Sequence, residues 1–486
     1  MSLSTALSIA QSSLLNTGKQ TSVVSRNMME SKNPDYARRT AVLASSAPGS
    51  RVVEIQRAAN DQIFRQNLSA LSSWSGQNAL NIGIERLGLS INGVENVSSP
   101  ASAIAELQKS LQTYSASPSN RTLAESAVNA ARQVVRTLNE GSENIQNLRI
   151  ETDQQIAGAV GELNSLLAQF QEANKAVVSG TKSGRDVSDA LDQRDAILKK
   201  IAEYVPISPS VRGDNDMVLV TKDGSMLFET TARSVTFEPS AGYAAGMSGN
   251  TVYIDGVPLA MASGGNTDAS GSLAGMIQLR DSVSSTMQSQ LDEMARGLIT
   301  AFAESDLTGV GPDAVGLFTW PGAPDIPAAG TLEHGLAGRI SLNAAYDPAK
   351  GGNPELLRDG GANGADYVAN TGNHASFADR LIELGNKMTE PMTFDPAAGI
   401  SATSSLTTYS SNSIGWFQGV RKEAATAVEA KSALAMRTAE ALSNEIGVND
   451  DMEMSLLLEL EHTYQASARL IKAVDDMLSS LLDAVR

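Results

Sequence analysis

The chain has 486 residues, no cysteine and a formal net charge of −17. That charge argues against a general nucleic-acid binder or a binder of anionic membranes. The missing thiols exclude a disulfide framework, an iron–sulfur centre and a Cys-ligated zinc site. Only three histidines are present, His334, His374 and His462, and aromatics make up 4% of residues, so no metal, cofactor or catalytic site is expected. No run of 18 apolar residues occurs, which leaves no membrane span. The first basic residue is Lys19, so a cleavable secretory signal is not expected; a cytosolic protein fits, and so does export by a route that needs no cleaved signal.

The first 31 residues carry a heptad pattern. Leu3, Leu7, Ala10, Leu14, Thr17, Thr21, Val24 and Met28 keep a three–four alternation, a coiled-coil seam weakened by its Ala and Thr members. Pro34 should stop this helix. Residues 41–55 read as an extended, loop-like segment. Helical patterns follow as far as Tyr204: Phe64, Leu68 and Leu71 on one face, an N-cap and first-turn pair at Ser99-Pro100, and a proline-free stretch from Ser119 to Val178. That stretch would span roughly 90 Å as one helix, with Gly180 as its stop. A further helix carries Val187, Leu191, Leu198, Ile201 and Val205 and ends at Pro206.

After Pro206 the texture changes. Met217–Thr221, Met226–Phe228, Val235–Phe237 and Val252–Ile254 read as short strands, with turns at Asp223-Gly224, Gly249-Asn250 and Asp255-Gly256. Helical pattern resumes at Leu273, Ile277, Leu291, Met294 and Leu298, gives way to a Gly- and Pro-dense stretch, and returns at Phe377 and again from about Ser404. The last 30 residues hold the stronger seam: Leu457, Leu460, Tyr464, Ser467, Ile471, Val474, Leu478 and Leu481. Neither end can bury its stripe alone, so the ends should pair with each other, with copies of themselves, or with both.

The expected fold is therefore mainly α with β insertions and elongated in shape. Residues 1–40 and 440–486 would form a terminal coiled coil. Residues 41–205, 271–305 and 375–439 would form a helical rod, with a β insertion at 206–270 and an irregular insertion at 306–374.

Catalytic signatures are absent: no G-x-S-x-G, H-E-x-x-H or Walker A sequence occurs. Ser179-Gly180-Thr181-Lys182 lacks the partner motifs of a Ser–Lys enzyme. Asp214, Asp216 and Asp255 sit where carboxylates serve turns. The acids Asp450, Asp451, Glu453, Glu459 and Glu461 read as compensation of the helix dipole and a solvated face. Asp189, Asp192 and Asp195 with Arg194 read as a polar clamp between packed helices, Arg194 reaching neighbouring acids.

Three segments carry a family resemblance. The first helix followed by Asn33-Pro34-Asp35-Tyr36-Ala37-Arg38-Arg39 resembles the N-terminal motif of flagellar axial proteins of the rod, hook and junction, with Asp35 in place of the usual glycine. Tyr464-Gln465-Ala466-Ser467-Ala468-Arg469-Leu470-Ile471 is similar to the C-terminal motif of the same proteins. In the middle, Leu191-Asp192-Gln193-Arg194-Asp195 and the run from Gly271 to Arg280-Asp281 resemble boxes of the hook-associated protein 1 family, the hook–filament junction proteins.

The resemblance implies a structural subunit of the bacterial flagellum without enzymatic activity. It would form a ring of copies on the hook tip and contact the hook protein and the next junction protein. It would leave the cell unfolded through the flagellar export channel, with a cytosolic chaperone masking the C-terminal helix. The seam residues Leu3, Leu7, Leu14, Val24 and Met28 would face Leu457, Leu460, Tyr464, Ile471, Val474, Leu478 and Leu481, unpartnered in the free chain and ordered on assembly. The rival readings are another flagellar axial protein (hook, rod or second junction protein) and a helical binding module outside the flagellum.

Overall fold

The computed structural model describes residues 3–46, 49–259 and 268–484. The parts of the expected terminal coil and β insertion that fall at residues 1, 2, 260–267, 485 and 486 lie outside the described residues.

Helix α1 (Leu3–Glu30) opens the chain. An antiparallel hairpin of β1 (Arg39–Ser46) and β2 (Gly49–Arg57) follows, with a register shift between Val42 and Leu43. This corrects the loop-like reading of 41–55. β1 is rich in Ala and Ser rather than β-branched residues, so its strand signal is weak. The pairing is fixed from outside: buried Asn16 of α1 donates from Nδ2 to the Ser50 carbonyl at 2.6 Å and accepts from the Val52 amide at 3.0 Å.

Then come α2 (Asp61–Asn92), capped by Asn60, and α3 (Pro100–Ala116), capped by Ser99 with Pro100 in its first turn. Helix α4 (Arg121–Lys182) is unbroken over 62 residues, about 93 Å at the standard rise. Gly180 does not stop it. That glycine is buried where a Cβ would lie 2.3 Å from a Val187 methyl, so it serves the close approach of α5 (Ser188–Tyr204).

The β insertion holds two small antiparallel sheets. One joins β3 (Ile207–Val211), β4 (Met217–Thr221) and β5 (Met226–Phe228); the other joins β6 (Val235–Thr236), β7 (Tyr253–Ile254) and β8 (Val257–Pro258). Asp255 and Gly256 both take positive φ between β7 and β8, the conformation a tight hairpin turn requires. Gly249 makes no such turn: it lies against the Arg280 guanidinium, with its amide donating to Asp281 at 3.1 Å.

A helix resumes as α6 (Ser272–Gln278), a π-helical turn at Leu279–Val283, and α7 (Ser284–Ala301). Residues 302–405 run mostly in turns, with α8 (Leu356–Asp359) and α9 (Asp379–Lys387). The long α10 (Leu406–Ile446) and α11 (Asp450–Ala484) close the chain.

Two hydrophobic cores share α4. Its first half, through Leu148, packs with α2, α3, α7 and α10; its second half, from Ile156, packs with α5, α6 and the β insertion. Between them lies a buried polar layer. Arg280 binds Asp153 at 2.7 Å with both side chains sealed from solvent, and donates to the Asn250 carbonyl at 2.9 Å. Arg149 reaches the Arg280 and Met247 carbonyls and stacks over Tyr243. Burial lowers the pKa of Arg149, whereas the carboxylates of Asp281 and Asp153 outweigh burial and raise that of Arg280. A buried pair of this kind costs desolvation but is strongly destabilising to break, so it pins the insertion at one rotation about α4.

Candidate assembly site

The two chain ends meet as an antiparallel pair. Ser13 and Ser467 hydroxyls lie 2.8 Å apart, and Asn27 of α1 donates to Glu453 of α11 at 3.0 Å. Residue i of α1 thus faces residue 480 − i of α11. The seams lock in phase: Ala10, Thr17 and Val24 are buried on one helix and Leu460, Ser467 and Val474 on the other. Leu3, Leu7, Leu14, Met28, Leu457 and Ile471 are half-buried beside them. The expectation that each stripe lacks a partner in the free chain is corrected, because antiparallel packing within one chain joins them.

The pair is only two helices thick, so it does not cover everything. Tyr464, Leu478 and Leu481 are 52%, 39% and 52% exposed, which departs from their expected place inside the seam. On the outer surface Met29, Leu458, Leu470, Met477 and Leu482 are also exposed. Gln465 and Arg469 of the C-terminal motif lie outside as well, Gln465 donating to Glu461 at 3.1 Å.

At the base of the pair, the N-terminal motif folds onto Glu453. Asn33 accepts the Asp35 amide at 3.1 Å and donates to Glu30, turning the chain at exposed Pro34. Tyr36 donates its hydroxyl to Asn27 at 2.8 Å, and Arg38 donates from Nε to Glu453 at 2.6 Å. Burial raises the Tyr36 pKa. Glu453 is fully buried, so it is not part of a solvated acidic face: it closes the junction of α1, the turn and α11. Its neighbours Asp450 and Asp451 remain exposed. No sequence periodicity separated these three acids.

The expected clamp is present with different partners. Asp192 accepts from Arg39 at 2.8 Å and from Arg57 at 2.6 Å, and Asp195 accepts from Arg57 at 2.7 Å. Asp189 accepts from Arg26 and Arg39, both at 2.6 Å. The acids of α5 therefore hold the ends of the hairpin and α1, not Arg194. Arg194 points the other way and donates to Asn174 at 3.0 Å and to the Asn215 carbonyl at 2.6 Å, tying α4 to the β insertion. Gln193 faces solvent. Burial pushes the Asp189 carboxyl up, but the Arg26 and Arg39 hydrogen bonds bring it below the ordinary carboxylate value; burial leaves Asp195 raised. Lys199 adds a bond to Asp35 at 2.8 Å. The pairing of Arg26, Arg39 and Arg57 and the burial of Glu453 escaped the sequence reading because a single charged residue, on a helix (Arg26, Glu453) or at a strand end (Arg39, Arg57), carries no periodic signal.

Arg280 and Asp281 stand apart from this site, in the polar layer between the two cores. Among the described residues no cluster of His, Cys, Asp and Glu could hold a metal ion, and no helix is long and apolar enough to cross a membrane.

Fold and site together define an elongated helical subunit whose paired chain ends present apolar residues outward. Comparisons place it. Residues 94–316 match the model of the flagellar hook-associated protein FlgK helical domain, and residues 444–484 match the flagellar basal body rod FlgEFG protein C-terminal model. Flagellar hook-associated protein 1 of Bacillus subtilis is 24% identical over 396 residues, covering 76% of this chain and 73% of its own length. The Salmonella typhimurium protein of the same name is 23% identical, covering 60% of this chain and 54% of its own length. The solved flagellar hook junction protein FlgK from Burkholderia pseudomallei shares the fold with a TM-score of 0.57 at 12% identity, over 78% of this chain and 99% of that one. The chain is thus similar to flagellar hook-associated protein 1 in sequence and in fold, and these matches support a structural role in the flagellum.

Proposed function

We propose that the chain builds the junction between hook and filament. Copies ring the hook tip, and the terminal helix pair enters the axial core, where the hook protein lies on one side and the next junction protein on the other. The carrying observation is the in-phase helix pair that buries Leu460 and Val474 yet leaves Tyr464, Leu478 and Leu481 outward. A two-helix pair with a second apolar surface gains by adding helices.

The parts divide the work. Residues 1–40 and 440–486 serve assembly; the rod of 41–205, 271–305 and 375–439 spaces them from the insertions at 206–270 and 306–374. The clamp of Asp192 and Asp195 with Arg39 and Arg57 holds the assembly module on the rod. Arg280 and Asp281 hold the β insertion at its angle. Gln465 and Arg469 face neighbouring subunits. The subunit performs no catalysis. It leaves the cell through the flagellar export channel without a cleaved signal, and a cytosolic chaperone covers the exposed residues of α11 beforehand. A rod or hook subunit would share the match at 444–484; the match at 94–316 favours the junction.

Replacing Leu460→Asp and Val474→Asp together tests the reading. The expected result is a soluble protein with an intact rod that no longer supports filament attachment in cells. Normal filaments on cells carrying only that variant would overturn it.

A further inference from the structure

Two Asn-Gly pairs occur in the chain, Asn92-Gly93 and Asn363-Gly364. In such a pair the backbone nitrogen of the glycine can attack the asparagine side chain, because glycine has no Cβ to crowd the approach. The structure treats the two pairs differently. Asn363 donates from Nδ2 to Glu304 at 2.9 Å and to the Val315 carbonyl at 2.7 Å, and the Gly364 amide donates to the Gly361 carbonyl at 3.2 Å. Both reacting groups are tied there.

At Asn92 both are free. Asn92 is the last residue of α2 and is 2% exposed, and neither its Oδ1 nor its Nδ2 has a hydrogen-bond partner. Among the described residues the Gly93 amide has no acceptor either, so nothing ties it back into α2. The turn that follows is closed by the Ser98 amide on the Asn92 carbonyl at 3.1 Å. It stores strain, since Glu95 and Asn96 take φ of 54° and 61°, a conformation that costs residues other than glycine. Beside Asn92 lies a cavity of about 260 Å³ between the end of α2 and α10, lined also by Glu85, Glu95, Phe417 and Arg421. It has room for several waters. Arg421 engages Glu85 at 2.6 Å, and Glu95 is exposed at the rim.

We propose that Asn92-Gly93 is a site of spontaneous deamidation, a covalent switch where α2 passes to α3. The Gly93 nitrogen bonds to Cγ of Asn92 and the Cγ–Nδ2 bond breaks. Ammonia leaves with the proton of the Gly93 amide, relayed by water in the cavity or by the Glu95 carboxylate. The product is a succinimide ring. Water then opens the ring at either carbonyl, giving aspartate, or isoaspartate with the backbone rerouted through Cβ. No oxidant and no other co-reactant is needed. Either product puts a carboxylate at the C-terminal end of a 32-residue helix, where the macrodipole disfavours negative charge. The position is also sealed from solvent, where an unpaired charge is costly. Isoaspartate adds a backbone atom to the strained turn as well. Both effects loosen residues 92–98 and their hold on α10, made by Gln418 donating to Asn96 at 3.4 Å.

The test incubates the full-length protein in mildly alkaline buffer and digests it at intervals. Mass spectrometry then follows the peptides bearing Asn92 and Asn363 for loss of ammonia and for isoaspartate. In the folded chain Asn92 should convert at least about tenfold faster than Asn363, because hydrogen bonds hold the second pair alone. In urea the two rates should draw together. Amide exchange should quicken at 88–98 in the converted protein and in a full-length Asn92→Asp chain, while α4 keeps its protection. Asn92 converting no faster than Asn363 in the folded chain overturns the inference. A ratio that persists unchanged in urea also overturns it, because the local sequence and not the fold would then set the rate. Unchanged exchange at 88–98 in both the converted and the Asn92→Asp protein overturns the role as a switch.

Discussion

Asn27 and Glu453 meet 3.0 Å apart, 426 residues apart in the chain, and both are sealed from solvent. The Asn27 amide also donates to the Arg39 carbonyl, and its oxygen accepts from Tyr36 and the Arg39 amide. Glu453 in turn holds Arg38. One hydrogen-bonded knot thus joins both ends of the protein and the turn between helix and hairpin. Removing the carboxylate strands a guanidinium and a buried amide. Glu453→Ala should destabilise the helix pair by roughly 3 kcal/mol, the scale of a broken buried ion pair. Hydrogen exchange should accelerate in 3–30 and 450–474 while α4 keeps its protection.

Asp192 and Asp195 should differ in weight. Asp192 serves two arginines with low exposure, whereas Asp195 serves Arg57 alone. Asp192→Ala should cost about 3 kcal/mol of hairpin docking and Asp195→Ala about 1.5 kcal/mol. Limited proteolysis at 39–57 would rank them, with Gln193→Ala indistinguishable from the parent because that side chain faces solvent.

Acid should act on two parts of the molecule in opposite directions. Asp189 has a lowered pKa, so its contribution is present above its ordinary value near pH 4 and is lost as pH falls through the lowered one. Hairpin docking should therefore loosen only below about pH 4. Asp292 is buried against Gln288, Gly335 and Ala337, and burial raises its carboxyl to about 6. The folded state favours its protonated form, so stability is greatest below its ordinary pKa and is lost as pH rises through about 6. Melting of the rod should shift upward between pH 7.5 and 5.5, and Asp292→Asn should flatten that slope.

Two glycines are fixed by contact rather than by conformation. A Cβ on Gly275 would lie 2.2 Å from the Gly76 carbonyl oxygen where α6 crosses α2, and one on Gly249 would lie 2.2 Å from the Arg280 guanidinium. Gly275→Ala meets backbone and should cost at least about 2 kcal/mol. Gly249→Ala meets a pinned side chain and should release the β insertion, seen as faster exchange in 235–258.

How much of this was legible in the sequence follows from which forces leave a periodic trace. The seams in α1 and α11 and the long α4 were readable because burial on a helix repeats every three to four residues. The Asp255-Gly256 turn was readable because few residue pairs tolerate positive φ. The hairpin was not, since its register depends on Asn16, a residue of another element. The clamp's acids were visible as a cluster on α5, but their partners, Arg26, Arg39 and Arg57, are scattered through the first 57 residues. Glu453 sat unmarked among acids because burial of a single charged residue has no pattern. The exposure of Tyr464, Leu478 and Leu481 was hidden for a related reason: a heptad stripe tells that a helix will be covered, not by how many neighbours.

The central claim is that the terminal helix pair carries assembly while the rod folds without it. Deleting Leu457–Arg486 removes most of α11 and leaves both hydrophobic cores intact, because the buried Leu460 and Val474 belong to neither. Counting filaments on cells that carry only this truncation tests the claim most directly. The account predicts a folded, soluble rod and no attached filaments; filaments in normal number would contradict it.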